Sequence, residues 1–146
     1  MNIAIILIIL LAGAIVTYCS GSRFAGKVAL LFSTAAGIFS FAFLLKYGIS
    51  GSTETFEWIS KPAVSFALKA DGLAIAMLLL TTVLTPIILL TTLSKEFKNE
   101  KLLYTLILFM EFAMVGCFLS SDALLYYVFW EMSLIPIYFI IIMWGN

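Results

Sequence analysis

The sequence contains no histidine. That removes the commonest transition-metal ligand and the side chain that titrates nearest neutral pH. Charge is scarce too, at 11% of residues, against about 25% in soluble domains. Eight basic residues balance eight acidic ones. No basic patch is present, which argues against nucleic acid as a partner. There are only two cysteines, Cys19 and Cys117, with no CxxC spacing. Both lie in or at the ends of apolar runs, so they read as packing residues rather than a disulfide or metal site. There is no nucleophile–base pair, metal cluster or Gly-rich phosphate loop. A free-standing enzyme is therefore not expected, nor a metal held by this chain.

What the chain has instead is apolar length. Hydrophobic residues make up 64% of it, against roughly 45–50% in soluble domains. The polar surface is too small to coat a water-soluble globule, so the chain reads as an all-α integral membrane protein in contact with the lipid bilayer. A membrane-spanning helix needs about 20 mostly apolar residues. Five runs meet this, at about 2–19, 28–47, 72–93, 102–119 and 123–144, and together they form one transmembrane domain. The first run has no positive charge before it; Arg23 and Lys27 follow it instead. It therefore reads as a retained helix rather than a signal peptide.

Orientation follows from lysine and arginine in the connections. Arg23, Lys27, Lys95, Lys98 and Lys101 fall on one side. Lys46, Lys61 and Lys69 fall on the other, diluted by Glu54, Glu57, Asp71 and Asp122. The balance favours an N-terminus outside. Between the second and third runs, Gly48–Thr55 reads as a turn. Val64, Phe66 and Leu68 then alternate with Ser65, Ala67 and Lys69, the period of a strand. A short extended segment or β-hairpin is expected on the outer surface, with Trp58 at the interface.

Ionisable groups inside a membrane helix are expensive, with values starting at about 2.5–3.5 kcal/mol. Two such groups stand out, Glu111 in the fourth run and Glu131 in the fifth. The tight connection Ser120–Asp122 makes these runs antiparallel neighbours. Each glutamate lies eight residues from the outer end of its run, or about 12 Å, near the middle of a core about 30 Å thick. No basic residue lies at this depth. The carboxyls are therefore either protonated or paired with a group outside this chain; their relative orientation stays open. Structural hydrogen bonding is the plainer reading of each, and proton transfer the functional one. Asp122 reads as a helix N-cap. Pro136 frees the carbonyl of Met132, one residue from Glu131, and Pro86 frees that of Thr82. Pro136 could thus kink the helix beside Glu131 and hold water there, whereas Pro86 reads as a packing kink.

The fifth run carries Phe129-Trp130-Glu131-Met132-Ser133-Leu134-Ile135-Pro136-Ile137-Tyr138, ending at Trp144-Gly145. This stretch resembles subunit M of bacterial NADH-quinone oxidoreductase (respiratory complex I), whose mitochondrial counterpart is subunit 4. Val64–Leu73, running on to Leu84-Thr85-Pro86, is similar to the same family's outer strand and third helix. The resemblance implies an antiporter-like proton translocase of a respiratory inner membrane, with no redox cofactor of its own, responding to quinone reduction elsewhere in the complex. It assigns proton transfer to Glu131, working with a lysine on a later, broken helix. Glu111 is a further candidate. Other membrane subunits are the implied partners. Family members have about fourteen helices, so the chain is expected to be an N-terminal part, lacking helices 6 onward. The alternatives are a subunit of a multisubunit sodium/proton antiporter, or a truncated structural or assembly subunit without transport.

Overall fold

The computed structural model describes residues 2–48, 52–59, 64–95 and 97–145. Five helices follow the apolar runs: α1 (Ala4–Cys19), α2 (Ser22–Tyr47), α3 (Gly72–Leu93), α4 (Glu100–Leu119) and α5 (Ala123–Trp144). Two strands, β1 (Ser52–Ile59) and β2 (Val64–Ala70), lie between α2 and α3. Four helices, α2 to α5, are long and apolar enough to cross a membrane. The first helix has 16 residues and reaches about 24 Å, short of a full hydrocarbon core.

One boundary differs from expectation. The second helix begins at Ser22 rather than Val28, so the α1–α2 connection shrinks to Ser20 and Gly21. Arg23 and Lys27 consequently sit on the first turns of α2 and not in a loop. Basic residues with long apolar stems can belong to a helix end while their charges reach the surface. They still share one end of the bundle with Lys98 and Lys101. Indeed, the Lys101 ammonium stands 4.9 Å from the centre of the Tyr18 ring, joining the start of α4 to the end of α1.

The helix at the centre is α4. Its apolar window is 61% buried, against 22–39% for α2, α3 and α5. Lipid tails are as apolar as leucine, so membrane helices associate by close packing and by hydrogen bonds between small residues. The buried face of α2 shows this: Ala25, Gly26, Ala29, Ser33, Ala36 and Ser40 recur every three or four residues. Gly26 admits Tyr104 of α4, whose ring would lie 2.9 Å from an added Cβ. Gly37 abuts the carbonyl oxygen of Thr82, 3.0 Å from where a Cβ would stand. That carbonyl lies four residues before Pro86, which is inside α3 and has no N–H to donate to it. The proline therefore leaves a polar atom that a glycine of the neighbouring helix covers.

The expected hairpin between α2 and α3 is present. The strands pair antiparallel from Ser52 with Ala70 to Ile59 with Val64, with an irregularity between Glu57 and Ile59. Trp58, proposed for the interface, has its side chain outside what is described; of the expected Gly48–Thr55 turn, residues 49–51 lie outside the described residues, and Ser52–Thr55 is instead the start of β1. Leu68 and Ala70 are buried and Lys69 is exposed, the alternation of a half-buried strand. The Ser121 N–H donates to the Ala67 carbonyl at 2.8 Å, and Leu68 bridges Ser120. This ties β2 to the α4–α5 turn. Asp122 caps α5, accepting from the Leu124 N–H at 2.8 Å and the Leu125 N–H at 3.4 Å. Asp71 caps α3 in the same way.

Candidate functional site

The two intramembrane glutamates have opposite settings. Glu111 is 1% exposed, enclosed where α4 meets α2. The Ser33 hydroxyl donates to its Oε2 at 2.8 Å. Its Oε1 is buried with no hydrogen-bond partner among the described residues. Ser33 and Glu111 each lie eleven residues into their helices from the same end of the bundle, about 16 Å in. Depth thus brings them level, and the small-residue face of α2 brings them together.

Glu131 is exposed. The side of α5 turned to the bundle carries Leu125, Phe129, Ser133 and Pro136. Phe129 lies over Gly116 of α4 and meets Phe112 edge-on, with ring centres 5.6 Å apart. Two residues on, at about 100° per residue, Glu131 points away from α4. It shares its outward stripe with Leu124, Tyr127, Leu134, Ile135 and Tyr138, all exposed. Tyr127 stands one turn before it, close enough for its hydroxyl to interact with the carboxyl. The orientation left open by the sequence is therefore settled for this chain. The two glutamates share a depth but do not face one another. Both are buried in the sense of depth; only Glu111 is covered by the chain's own helices.

Pro136 lies within α5, which stays continuous through it from Ala123 to Trp144. The proline is buried on the bundle side, so it does not share a face with Glu131. Just upstream, the Ser133 hydroxyl donates to the Trp130 carbonyl at 2.7 Å. The C-terminal end of α5 is held as well, where the Trp144 indole N–H donates to the Lys98 carbonyl at 2.8 Å.

The residue missed in the sequence is Ser33. Buried serines and threonines in apolar helices ordinarily bond back to their own helix. Ser40, Thr81, Thr82, Thr85 and Ser133 all do so here. Ser33 instead reaches a second helix. The available signal was its place in the three-and-four spacing of small residues, with a carboxyl needing a donor at the same height.

Chemically, the arrangement offers two carboxyl groups at a similar height in the bundle, one enclosed and one presented outward. No family model matches the chain. It is 33% identical, over 98% of its length, to the chloroplastic NAD(P)H-quinone oxidoreductase chain 4 of Mesostigma viride. It is 39% identical, over 80% of its length, to NADH-quinone oxidoreductase subunit M of Buchnera aphidicola. It is 28% identical, over 98% of its length, to F(420)H(2) dehydrogenase subunit M of Methanosarcina mazei. The chain spans only 22–30% of the length of these curated relatives. Across most of its length, then, this membrane chain is a relative of the subunit M and chain 4 proteins of NADH- and NAD(P)H-quinone oxidoreductases.

Proposed function

We propose that the chain is the N-terminal part of an antiporter-like membrane subunit that translocates protons, coupled to quinone reduction in other subunits. The observation that carries this is the placing of Glu131. A carboxyl about 12 Å from the end of its helix, on an outward apolar stripe and without a cation at its depth, is costly if left to lipid. Its position makes sense when further protein covers that stripe and brings a cation to it. Glu131 then alternates between an ion-paired carboxylate and a protonated acid as the cation approaches and withdraws. Enclosed by the chain's own helices, Glu111 serves as a second proton-carrying group.

The relatives' names support an oxidoreductase complex over a sodium/proton antiporter. They differ in the electron donor they name, which fits a membrane subunit that holds no redox cofactor and does not choose the donor. The other membrane subunits of that complex are its partners. The crowding of basic residues at one end supports an N-terminus outside an energy-conserving membrane, the bacterial inner membrane in our reading. The test is Glu131→Gln in the intact complex, reconstituted in vesicles with a pH-sensitive dye. The expected result is assembly at wild-type yield with proton uptake lost. Undiminished uptake per quinone reduced overturns the proposal.

A further inference from the structure

We infer that Ser33 is a positioning residue for the Glu111 proton: its hydroxyl holds Oε2 and thereby assigns the proton to Oε1. This rests on reading Glu111 as a proton-carrying group, and it names the residue that orients it. Three observations carry it. First, the Ser33 hydroxyl has a ready partner in its own helix, four residues back at Ala29, and the other buried serines and threonines with bonds take that kind of partner. Ser33 turns across to Oε2 at 2.8 Å instead. Second, the pair is sealed, with Ser33 at 0% and Glu111 at 1% exposure. A hydrogen bond there is not exchanged for one to bulk water. Third, Oε1 has no partner among the described residues. With Oε2 engaged as an acceptor, Oε1 is the oxygen left to carry the hydrogen.

The closeness of α2 is itself built in. Gly26, two turns before Ser33, leaves room for the Tyr104 ring of α4, and Ala29 and Ala36 flank the serine on the same buried face. A bulkier seam would carry the hydroxyl out of reach. Once the proton leaves Oε1, the same Ser33 bond falls on a carboxylate and becomes a charge-assisted bond, shorter and stronger. The serine therefore orients the protonated form and supports the ionised one.

The experiment is infrared spectroscopy of the intact complex, with the Glu111 carboxyl C=O stretch assigned as the band that Glu111→Gln removes. Ser33→Ala removes one oxygen from a seam that already carries alanines. The expected result is an upward shift of that band, because the carbonyl loses its hydrogen bond, together with proton uptake about tenfold slower. Should Ser33→Ala assemble poorly, Ser33→Cys reads the same band. Its thiol is a weaker donor, so the band moves part of the way. An unshifted band in the assembled variant overturns the inference, as does a Glu111→Gln spectrum that loses no protonated-carboxyl band. A structural role alone would move the same band and leave proton uptake per assembled complex unchanged, so a shifted band with unchanged uptake also overturns the inference. Failure here leaves the Glu131→Gln result standing, so the two readings fail separately.

Discussion

Gly116→Ala should force α5 away from α4. A Cβ at this position would stand 2.6 Å from Cγ of Phe129, and nearer still to Cδ1 and Cε1 of the same ring. Ordinary carbon–carbon contact is about 3.5–4.0 Å, so the ring must withdraw by roughly 1 Å or more. It has little room to do so. Phe129 is 5% exposed, and the Phe112 ring sits edge-on against it. The strain must therefore pass to the helix backbone. Overpacking of this kind costs about 1–3 kcal/mol. The effect on function should be larger than the effect on stability, because Glu131 lies two residues beyond Phe129. A displacement of about 1 Å at a reacting group can lower a rate by about 100-fold.

The assay is a double-mutant cycle in the intact protein, read by chemical unfolding in bicelles and by proton uptake. Phe129→Ala alone leaves a cavity and should cost about 3–5 kcal/mol. Adding Gly116→Ala to it should cost nothing more, because the methyl then enters space the ring has left. The two substitutions are thus expected to be strongly non-additive. Additive effects, or a Gly116→Ala change within about 0.5 kcal/mol of wild type, would refute the argument that this contact sets the α4–α5 distance.

Two further outcomes follow from the packing and the topology. Gly37→Ala places a methyl 3.0 Å from the backbone carbonyl of Thr82 and should destabilise the α2–α3 contact by about 1–3 kcal/mol. Gly21→Ala is its control: with nothing within 4 Å and φ at −66°, it should stay within about 0.5 kcal/mol of wild type in the same unfolding assay. Cys19 is exposed and Cys117 is buried, so a membrane-impermeant maleimide should label Cys19 alone. With the N-terminus outside, labelling should occur only when the reagent reaches the cytoplasmic side. Labelling from the outer side would reverse the assigned orientation.

Much of this fold was legible because the bilayer imposes it. Apolar runs of about 20 residues mark the helices, and α3 and α5 begin and end at the expected residues. Asp122 read correctly as an N-cap because the rule is local. The start of α2 did not read correctly. Hydropathy sees Arg23 and Lys27 as loop residues, whereas a helix continues past the hydrocarbon wherever its polar side chains reach the surface. That error also hid Ser33. Counted from Val28, the serine lies well below the level of Glu111; counted from Ser22, the two are level. The facing of the glutamates was closed to the sequence for a different reason. It depends on which side of α5 packs on α4, and α5 is apolar nearly all round. Gly116 and Phe129 decide that by shape, and shape complementarity between two positions leaves no periodic trace.

The helix that carries Glu131 is also the one least enclosed by this chain, with 22% of its apolar window buried, yet it is fixed at three heights. At the N-terminal end Asp122 caps it, and β2 holds the turn that precedes it. In the middle Phe129 sits on Gly116. At the C-terminal end the Trp144 indole binds the Lys98 carbonyl. A helix retained only for its apolar surface has no need of such a mounting, since lipid accepts it at many heights and rotations. A carboxyl that must meet a cation brought by other protein does need it. A shift of one residue turns the side chain by about 100° and a full turn moves it by about 5.4 Å, and either displacement breaks an ion pair that forms only within about 4–6 Å. Openness on one side of α5 and restraint on the other are thus parts of one arrangement. The chain's own helices fix where Glu131 is, and leave open the face from which, in the proposed mechanism, a cation would reach it.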